Sequence, residues 1–231
     1  MSEIPEDVGF VIHSRRYREN SRIVEIFTRE HGRIALVARI PKKHGGREMA
    51  ALQPHCESLF SWRGRHDLQN LVNVDAREKY QLEGESGICG LYCNELMLYL
   101  LDKQLPIPAL YDSYKTLMQQ LNTQTDAAIS LRQFEGDLLH QLGFSLDFAS
   151  VQKDLGRPCY FHPENGLSYQ REENSIKIAP AVLEDLARED YARPETARAA
   201  KTIFCSTIHT LLEGKKLRSR ALMQSYRKYT S

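Results

Sequence analysis

The stretch from Phe10 to Arg47 constrains the fold of this chain most, because it combines strand-like alternation with a high density of cations. Residues 33–40, RIALVARI, place apolar side chains on one face and two arginines with a valine on the other. Between Ser14 and Arg47 there are ten Lys and Arg residues and three Glu residues, a local net charge of +7. A sheet of this kind packs a small core with one face and presents cations on the other, which favours a polyanionic partner.

The length of 231 residues allows two or three small domains, and the composition is typical of a globular protein. No apolar run approaches the roughly 20 residues that a membrane-spanning helix needs, so we expect no membrane partner. The first residues, MSEIPEDVG, lack the apolar region of a signal peptide. Five cysteines with irregular spacing indicate reduced thiols, and therefore a cytoplasmic location.

The overall charge of +1 averages over segments of opposite character. Residues 1–80 have a net charge of +3, residues 81–195 a net charge of −9, and residues 196–231 a net charge of +7. Basic ends around an acidic middle suggest that the ends bind an anion. Solvated charged faces account for the same numbers equally well.

Residues 1–80 are predicted to form a small β-barrel. Their alternation and turn signals give five short strands: Gly9–Ser14, Arg22–Thr28, Arg33–Ile40, His55–Trp62 and Leu68–Asp75. Five strands without a substantial helix match the size of an OB-type barrel, and a small SH3-like barrel is the competing assignment. Both folds are commonly binding modules.

Residues 81–231 are predicted to form a mostly α-helical domain, which makes the fold class α+β. Ile88–Leu101 is apolar on almost every side and therefore reads as a buried helix. The other predicted helices are Ala109–Leu121, Ala127–Leu142 (ending at Gly143 as an αL cap), Pro180–Arg188, Pro194–Glu213 and Leu217–Tyr229. The insertion at about 145–178 is polar and interrupted by Gly156, Pro158, Pro163 and Gly166, and it is predicted to consist of loops with room for one hairpin.

The sequence offers neither a complete metal site nor a catalytic motif. Cys89 and Cys93 have i, i+4 spacing on a helix but no second pair of ligands, so core packing is the favoured interpretation. Cys159 and His162 form half a site. There is no G-x-S-x-G, Walker A or H-E-x-x-H motif. We therefore predict no metal, no cofactor, no catalytic residue and no enzymatic activity.

The basic clusters are the candidate nucleic-acid contacts, because single-strand binders combine cations that follow the phosphates with aromatic rings that stack on bases. The candidates are Arg15, Arg16, Tyr17, Arg33, Arg39, Lys42, Lys43, Arg47, Lys215, Lys216, Arg218 and Arg220. Tyr17, Phe60 and Trp62 are the rings that could stack, although Phe60 and Trp62 share a strand face and suit a core position. RNA, DNA or an acidic protein would each suit such basic loops.

Arg132 is the unusual residue of the third helix, because it lies beside the apolar stripe that contains Leu139. One interpretation is a local i, i+3 ion pair with Glu135, which contributes a few tenths of a kcal/mol when it is exposed. The other is that Arg132 anchors a partner's carboxylate beside an apolar groove, since a guanidinium binds carboxylates through two parallel hydrogen bonds.

Several motifs together resemble the bacterial RecO family of recombination mediators. They are GFVIHSR, RIVEIFT and GRIALVA in the first 40 residues, ALQP at Ala51–Pro54, GLYCNELM at Gly90–Met97 and LRQFEGDLLHQLGF at Leu131–Phe144. The resemblance extends from about Gly9 to Tyr229. The order of parts, a barrel followed by helices, agrees with the pattern of the residues.

The resemblance implies a DNA-repair mediator of the RecFOR pathway, with an OB-fold and a helical domain that carries a zinc-ribbon-like insertion. Such proteins bind single- and double-stranded DNA, anneal strands, and engage RecR and the tail of the single-stranded-DNA-binding protein, thereby helping RecA to load. A location in the cytoplasm, associated with the nucleoid, is implied as well. By its position in LRQFE, Arg132 would dock that tail, with Leu139 beside it.

The chain departs from the family pattern in its insertion. Many members have four cysteines there, whereas this chain has only Cys159, so we expect a degenerate, metal-free insertion held together by packing. Two other classes of function remain as alternatives. An RNA-binding OB protein without recombination partners is the first, and a hydrolase, which no motif supports, is the second.

Overall fold

A computed structural model describes residues 4–39, 46–64, 66–123, 126–148, 151 and 157–230 of the protein. The chain divides into two compact units. The first comprises Met1–Thr125 together with Leu217–Ser231, and the second comprises Asp126–Lys216. The domain boundary at residue 80, inferred from the sequence, remains a prediction.

Five strands of the first unit close into a barrel. They are β1 (Glu6–Tyr17), β2 (Ser21–Thr28), β3 (Gly32–Arg39), β4 (Cys56–Arg63) and β5 (Leu68–Lys79), with the short helix α1 (Gly46–Ala51) between β3 and β4. The strand order is β1-β2-β3-β5-β4, and β3 and β5 pair in parallel. The predicted five-stranded OB-type barrel is confirmed, and β1 and β5 are longer than their sequence patterns indicated.

The barrel interior is filled by the apolar positions of the alternating strands. From β3, Ile34, Leu36 and Ala38 point inwards, as the alternation of this segment predicts. They pack against Phe60 and Trp62 of β4, which are almost completely buried. Burial of large apolar side chains of this kind contributes about 1.5–3 kcal/mol each. Phe60 and Trp62 are therefore core residues, and they are not available to stack on bases.

Part of the outer face of the barrel is covered by helices of the same unit, α2 (Gly84–Leu100) and α3 (Pro108–Asn122). The ring of Phe10 on β1 lies 5.0 Å from that of Tyr114 and 5.6 Å from that of Tyr111, both on α3. The buried carboxylate of Glu57 accepts hydrogen bonds from the Tyr111 hydroxyl and from the Lys115 ammonium. The predicted burial of α2 is confirmed, and Cys89 and Cys93 lie in its core-facing surface.

The last helix, α7 (Arg218–Thr230), packs against α2. The carboxylate of Glu95 on α2 accepts the backbone N–H groups of Arg218 and Ser219, at 3.1 and 2.9 Å. Because the first N–H groups of a helix have no partner within the helix, this carboxylate satisfies them and fixes where α7 begins.

The second unit contains α4 (Ala127–Gln141), α5 (Pro180–Ala187), α6 (Pro194–Leu211) and a small antiparallel sheet. The sheet is formed by β6 (Cys159–His162), β7 (Gly166–Ser168) and β8 (Ile176–Ile178), in the order β7-β6-β8. The sequence indicated loops and one hairpin here, so the third strand was missed. Gly143 has a φ of +83° just after α4, as its predicted role as a helix cap requires.

No helix among the described residues combines the length and the apolar character needed to cross a membrane.

Candidate nucleic-acid interface

Five arginines converge at one end of the barrel, where β1 and β3 end and β2 begins. The register pairs Arg16 with Arg22, and it pairs Ser21 with both Tyr17 and Arg39. The last turns of these strands therefore bring together residues that are up to 24 positions apart in the sequence. We call Arg15, Arg16, Arg18, Arg22 and Arg39 the arginine cluster, with Arg18 in the turn between β1 and β2.

The arginine cluster presents cations on both faces of the strands. Arg15 and Arg39 lie on the outward face with Tyr17, and Arg16 and Arg22 lie on the face that further along the strands lines the core. The Nε of Arg22 donates to the Ser14 hydroxyl at 2.7 Å, which fixes the direction of its guanidinium. Phosphates approaching this end of the barrel would therefore meet cations on either side of the hairpin.

The arginine cluster is not neutralised by the protein's own acids. Four of its members are exposed: Arg15, Arg16, Arg18 and Arg39. Among the described residues, none of these four forms an ion pair with a carboxylate within 4.0 Å. Arg29, lower on the barrel, shows the opposite arrangement, because it pairs with Glu30 and Asp112. The charge of the cluster is thus available to an external anion.

Tyr17 is the one aromatic residue of the three proposed rings that remains accessible. It is half-buried, and the guanidinium of Arg18 lies 5.1 Å from the centre of its ring. A cation over an aromatic face is attractive by about 0.5–1 kcal/mol at exposed sites. This contact holds the ring at the edge of the arginine cluster, where a base could stack on it.

Arg33, also predicted to contact DNA, is committed to the fold. Its NH1 lies 3.3 Å from the carboxylate of Glu25, and its Nε donates to the backbone oxygen of Leu101 at 3.1 Å. Both side chains of the ion pair are mostly buried. Because the guanidinium is paired with Glu25 and anchored, we leave Arg33 out of the arginine cluster.

The remaining predicted cations are Lys42, Lys43, Arg47, Lys215, Lys216, Arg218 and Arg220. Lys42 and Lys43 lie outside the described residues, and Arg47 is exposed on α1. Lys215 and Lys216 are exposed at the end of the second unit, whereas Arg218 and Arg220 begin α7 in the first unit. Arg218 and Arg220 therefore share a unit with the arginine cluster.

Arg132 lies inside the second unit and not at its surface. Its guanidinium forms a two-point ion pair with the carboxylate of Glu135, at 2.7 and 3.0 Å, and both side chains are buried. The local i, i+3 pair considered from sequence is therefore present, but it is buried rather than exposed. The pair lies close enough to the buried Tyr191 to affect the pKa of its hydroxyl, which burial raises.

An apolar groove lies along α4 beyond Arg132, and Leu139, a predicted partner-binding residue, is among the residues that line it. Its volume is about 190 Å³. Phe144 is half-exposed at the groove, and Leu139, Tyr191 and Phe204 are buried in its walls. Arg132 does not line it. Tyr191, between α5 and α6, and Phe204, on α6, escaped the sequence reasoning, because only tertiary packing brings them to Leu139 on α4.

Cys159 in the insertion is buried, and its thiol donates to the backbone oxygen of Ser168 at 3.4 Å. Burial raises the pKa of this thiol. A protonated thiol is a poor metal ligand, because the thiolate is the form that binds metals. Within the part of the chain that the structure describes, no cluster of His, Cys, Asp or Glu residues is placed to hold a metal ion.

Comparisons with known proteins match the chain over nearly its whole length. The family model described as "Recombination protein O N terminal" matches residues 1–80, and "Recombination protein O C terminal" matches residues 82–221. Curated relatives called "DNA repair protein RecO" include that of Nitrosococcus oceani, 35% identical over 95% of this chain and 93% of the relative. That of Hahella chejuensis is 33% identical, over 100% of this chain and 99% of the relative.

Proposed function

The chain belongs to the RecO family of DNA repair proteins, and from this premise we propose that it is a recombination mediator. In this proposal it binds single- and double-stranded DNA, anneals complementary strands, and helps RecA load onto DNA coated by single-stranded-DNA-binding protein. It works without enzymatic turnover and without a cofactor, in the cytoplasm and at the nucleoid.

The uncompensated arginine cluster is the observation that carries the proposal. Arg15, Arg16 and Arg39 are exposed at one end of the barrel without a carboxylate partner among the described residues. Cations of this kind bind phosphates and release counterions, which supplies most of the affinity for DNA regardless of its sequence. The half-buried ring of Tyr17 beside them offers a stacking surface, which suits single strands.

Annealing needs no reacting group in this mechanism. Two complementary strands repel each other through their phosphates, and arginines on both faces of the β1–β2 hairpin would lower that repulsion. Arg15 and Arg39 face outwards and Arg16 and Arg22 face the other side, so two backbones could be held at one hairpin. Base pairing would then supply the driving force for release as a duplex.

The apolar groove of the second unit is the site we propose for the acidic, apolar-ended tail of the single-strand-coating protein. Phe144 is half-exposed there, with Leu139 and Tyr191 behind it, so an apolar side chain of the tail could be buried against aromatic walls. Arg132 does not line the groove; it forms a buried ion pair with Glu135 on α4, the helix that also carries Leu139. RecR is a further proposed partner. RecA is a partner only indirectly, because the chain helps it to load onto the coated DNA.

The proposal is tested by measuring annealing of complementary fluorescent oligonucleotides, one of them coated with the single-strand-binding protein. We expect the full chain to accelerate annealing of the coated strand, and to do so poorly when the coating protein lacks its tail. Equal annealing with and without the tail would contradict the docking step. Competition between DNA and RNA strands of equal sequence separates this function from that of an RNA-binding protein, which would prefer RNA.

A further inference from the structure

A cavity of about 370 Å³ opens beside the arginine cluster, wholly within the first unit. It lies between β1, α1 and α2. Its walls combine polar and apolar side chains, the apolar ones including Val11 and Leu52 on the barrel side and Met49 and Leu91 from the two helices. The volume is within the range of about 300–1,000 Å³ that is typical of small-molecule sites.

Asn94 lines this cavity and has an unsatisfied polar group. Its side chain is 2% exposed, and its Oδ1 accepts a hydrogen bond from the Tyr114 hydroxyl at 2.6 Å. Its Nδ2 has no hydrogen-bond partner among the described residues. A buried amide donor without a partner is costly, and most buried polar groups in proteins have one. The unpaired donor therefore points to a ligand that carries a hydrogen-bond acceptor.

Arg22 connects the cavity to the arginine cluster. Its side chain lines the cavity, and Ser14, the residue that fixes its guanidinium, lines it too. Arg16 lies directly opposite Arg22 on the neighbouring strand. A phosphate held between Arg16 and Arg22 would carry its own nucleotide to the edge of the opening.

We propose that this cavity takes one unstacked nucleobase of the single strand bound by the arginine cluster, an inference that rests on the proposed function. The flat apolar faces of a base match the walls formed by Met49 and Leu91. Its carbonyl oxygen or ring nitrogen accepts a hydrogen bond from the Nδ2 of Asn94. Enzymes that act on bases hold them in enclosed pockets of this general kind. Holding one base out of the stack keeps the rest of the strand extended and ready to pair.

The experiment compares two oligonucleotides of equal length and charge, one intact and one in which abasic linkers replace several bases. For the wild-type chain we expect affinity for the abasic strand to be about tenfold lower, because the contact of a base with the cavity is lost and a tenfold change corresponds to about 1.4 kcal/mol. Equal affinity for the two strands would overturn the pocket assignment alone. Absence of salt-dependent binding to both strands would overturn the proposed function itself.

Two tryptophan variants separate the pocket from general stacking on Tyr17. Met49→Trp fills the cavity, and we expect it to reduce the preference for the intact strand to less than about threefold. Leu105→Trp, at a 52% exposed position outside the cavity, is the matched control and should leave the preference unchanged. A filled cavity with the full wild-type preference would refute the assignment.

A second measurement uses the wild-type chain only, so it does not depend on the folding of a variant. A strand containing 2-aminopurine should become at least about twofold brighter on binding, because the base leaves its stacked neighbours. Unchanged emission would count against the proposal. Displacement of the bright base by micromolar free deoxynucleotide would identify a free nucleotide as the occupant, and would overturn the assignment to the strand.

Discussion

Arg16 on β1 and Arg22 on β2 are directly opposite each other in the antiparallel ladder, and their side chains lie on the same face. Like charges in such a cross-strand pair destabilise a sheet. The Nε of Arg22 is held by Ser14, so it cannot simply turn away. A pair of this kind is unfavourable for the isolated protein and favourable once an anion lies between the two guanidinium groups.

The first prediction concerns this pair. Replacing Arg16 with Thr, a residue suited to strands, should raise the free energy of unfolding by about 0.2–1 kcal/mol, because the repulsion disappears. The same change should weaken binding to single-stranded DNA. The slope of log K against log salt should become less negative by about 0.7, the value for one phosphate contact. Urea unfolding and fluorescence anisotropy measure the two effects.

Arg77→Thr is the matched control for this experiment. Arg77 is exposed on β5, in the part of that strand that pairs with β4 near Glu57. Glu57 pairs with Phe10 on β1, six residues before Arg16, so Arg77 lies away from the arginine cluster. The control removes the same charge from the same barrel. If it weakened DNA binding as much as Arg16→Thr, net charge rather than the arginine cluster would be responsible.

The second prediction concerns His55, whose side chain is buried against Gly90. Burial lowers the pKa of His55 from its ordinary value of 6.5 to about 4. Above pH 6.5 His55 is neutral in both the folded and the unfolded chain, so it does not lower the stability. Below pH 6.5 the unfolded chain binds a proton that the folded chain does not. The stability should fall by about 1.4 kcal/mol per pH unit between pH 6.5 and 4.

His55→Asn removes the titration and keeps a residue that tolerates the observed φ of +61°. Urea unfolding of both proteins between pH 4 and 7 is the measurement. We expect the free energy of unfolding of the variant to change less steeply with pH than that of the wild-type chain, by the slope that corresponds to about one proton. Parallel curves for the two proteins would exclude His55 as the group responsible.

The third prediction concerns the buried pair of Arg132 and Glu135. Replacing Arg132 with Ala should lower the free energy of unfolding by about 3–5 kcal/mol, because it leaves a buried carboxylate without its cation. The double variant Arg132→Met with Glu135→Leu should recover much of that loss. No recovery in the double variant would show that the loss comes from packing alone.

The fourth prediction separates partner docking from stability. Phe144→Ser removes a half-exposed ring from the apolar groove, so its effect on the free energy of unfolding should be small, about 1 kcal/mol or less. Affinity for a peptide of the coating protein's tail should fall about tenfold, while affinity for naked DNA stays the same. Leu105→Ser, a similarly exposed apolar residue, should change neither affinity. Equal losses for peptide and DNA would contradict the division of roles between the units.

The sequence predicted the barrel well, because strand alternation is a local property. Ile34, Leu36 and Ala38 face the core as their spacing indicates. Strand register is not local, and for this reason the position of Arg22 opposite Arg16 could not be foreseen. The strands β6 to β8, at three or four residues each, are too short for alternation to reveal them.

The sites were predictable to a lesser degree. Helical spacing placed Arg132 beside the apolar stripe, but whether that edge is exposed depends on how the rest of the unit packs around α4. Arg33 likewise belongs to the cationic face of β3 by alternation, yet Glu25 lies on the same outward face of β2 and captures it. Charge patterns identify candidate contacts, whereas packing decides which of them reach solvent.

The measurement that tests the account most directly is the salt dependence of single-strand binding by the wild-type chain and by the triple variant Arg15→Ser, Arg16→Ser and Arg39→Ser. If the five arginines of the cluster contact phosphates, log K should fall with log salt at a slope of about −3.5 for the wild-type chain. For the triple variant the slope should lie about two units closer to zero. Equal slopes for the two proteins would contradict the central role of the arginine cluster.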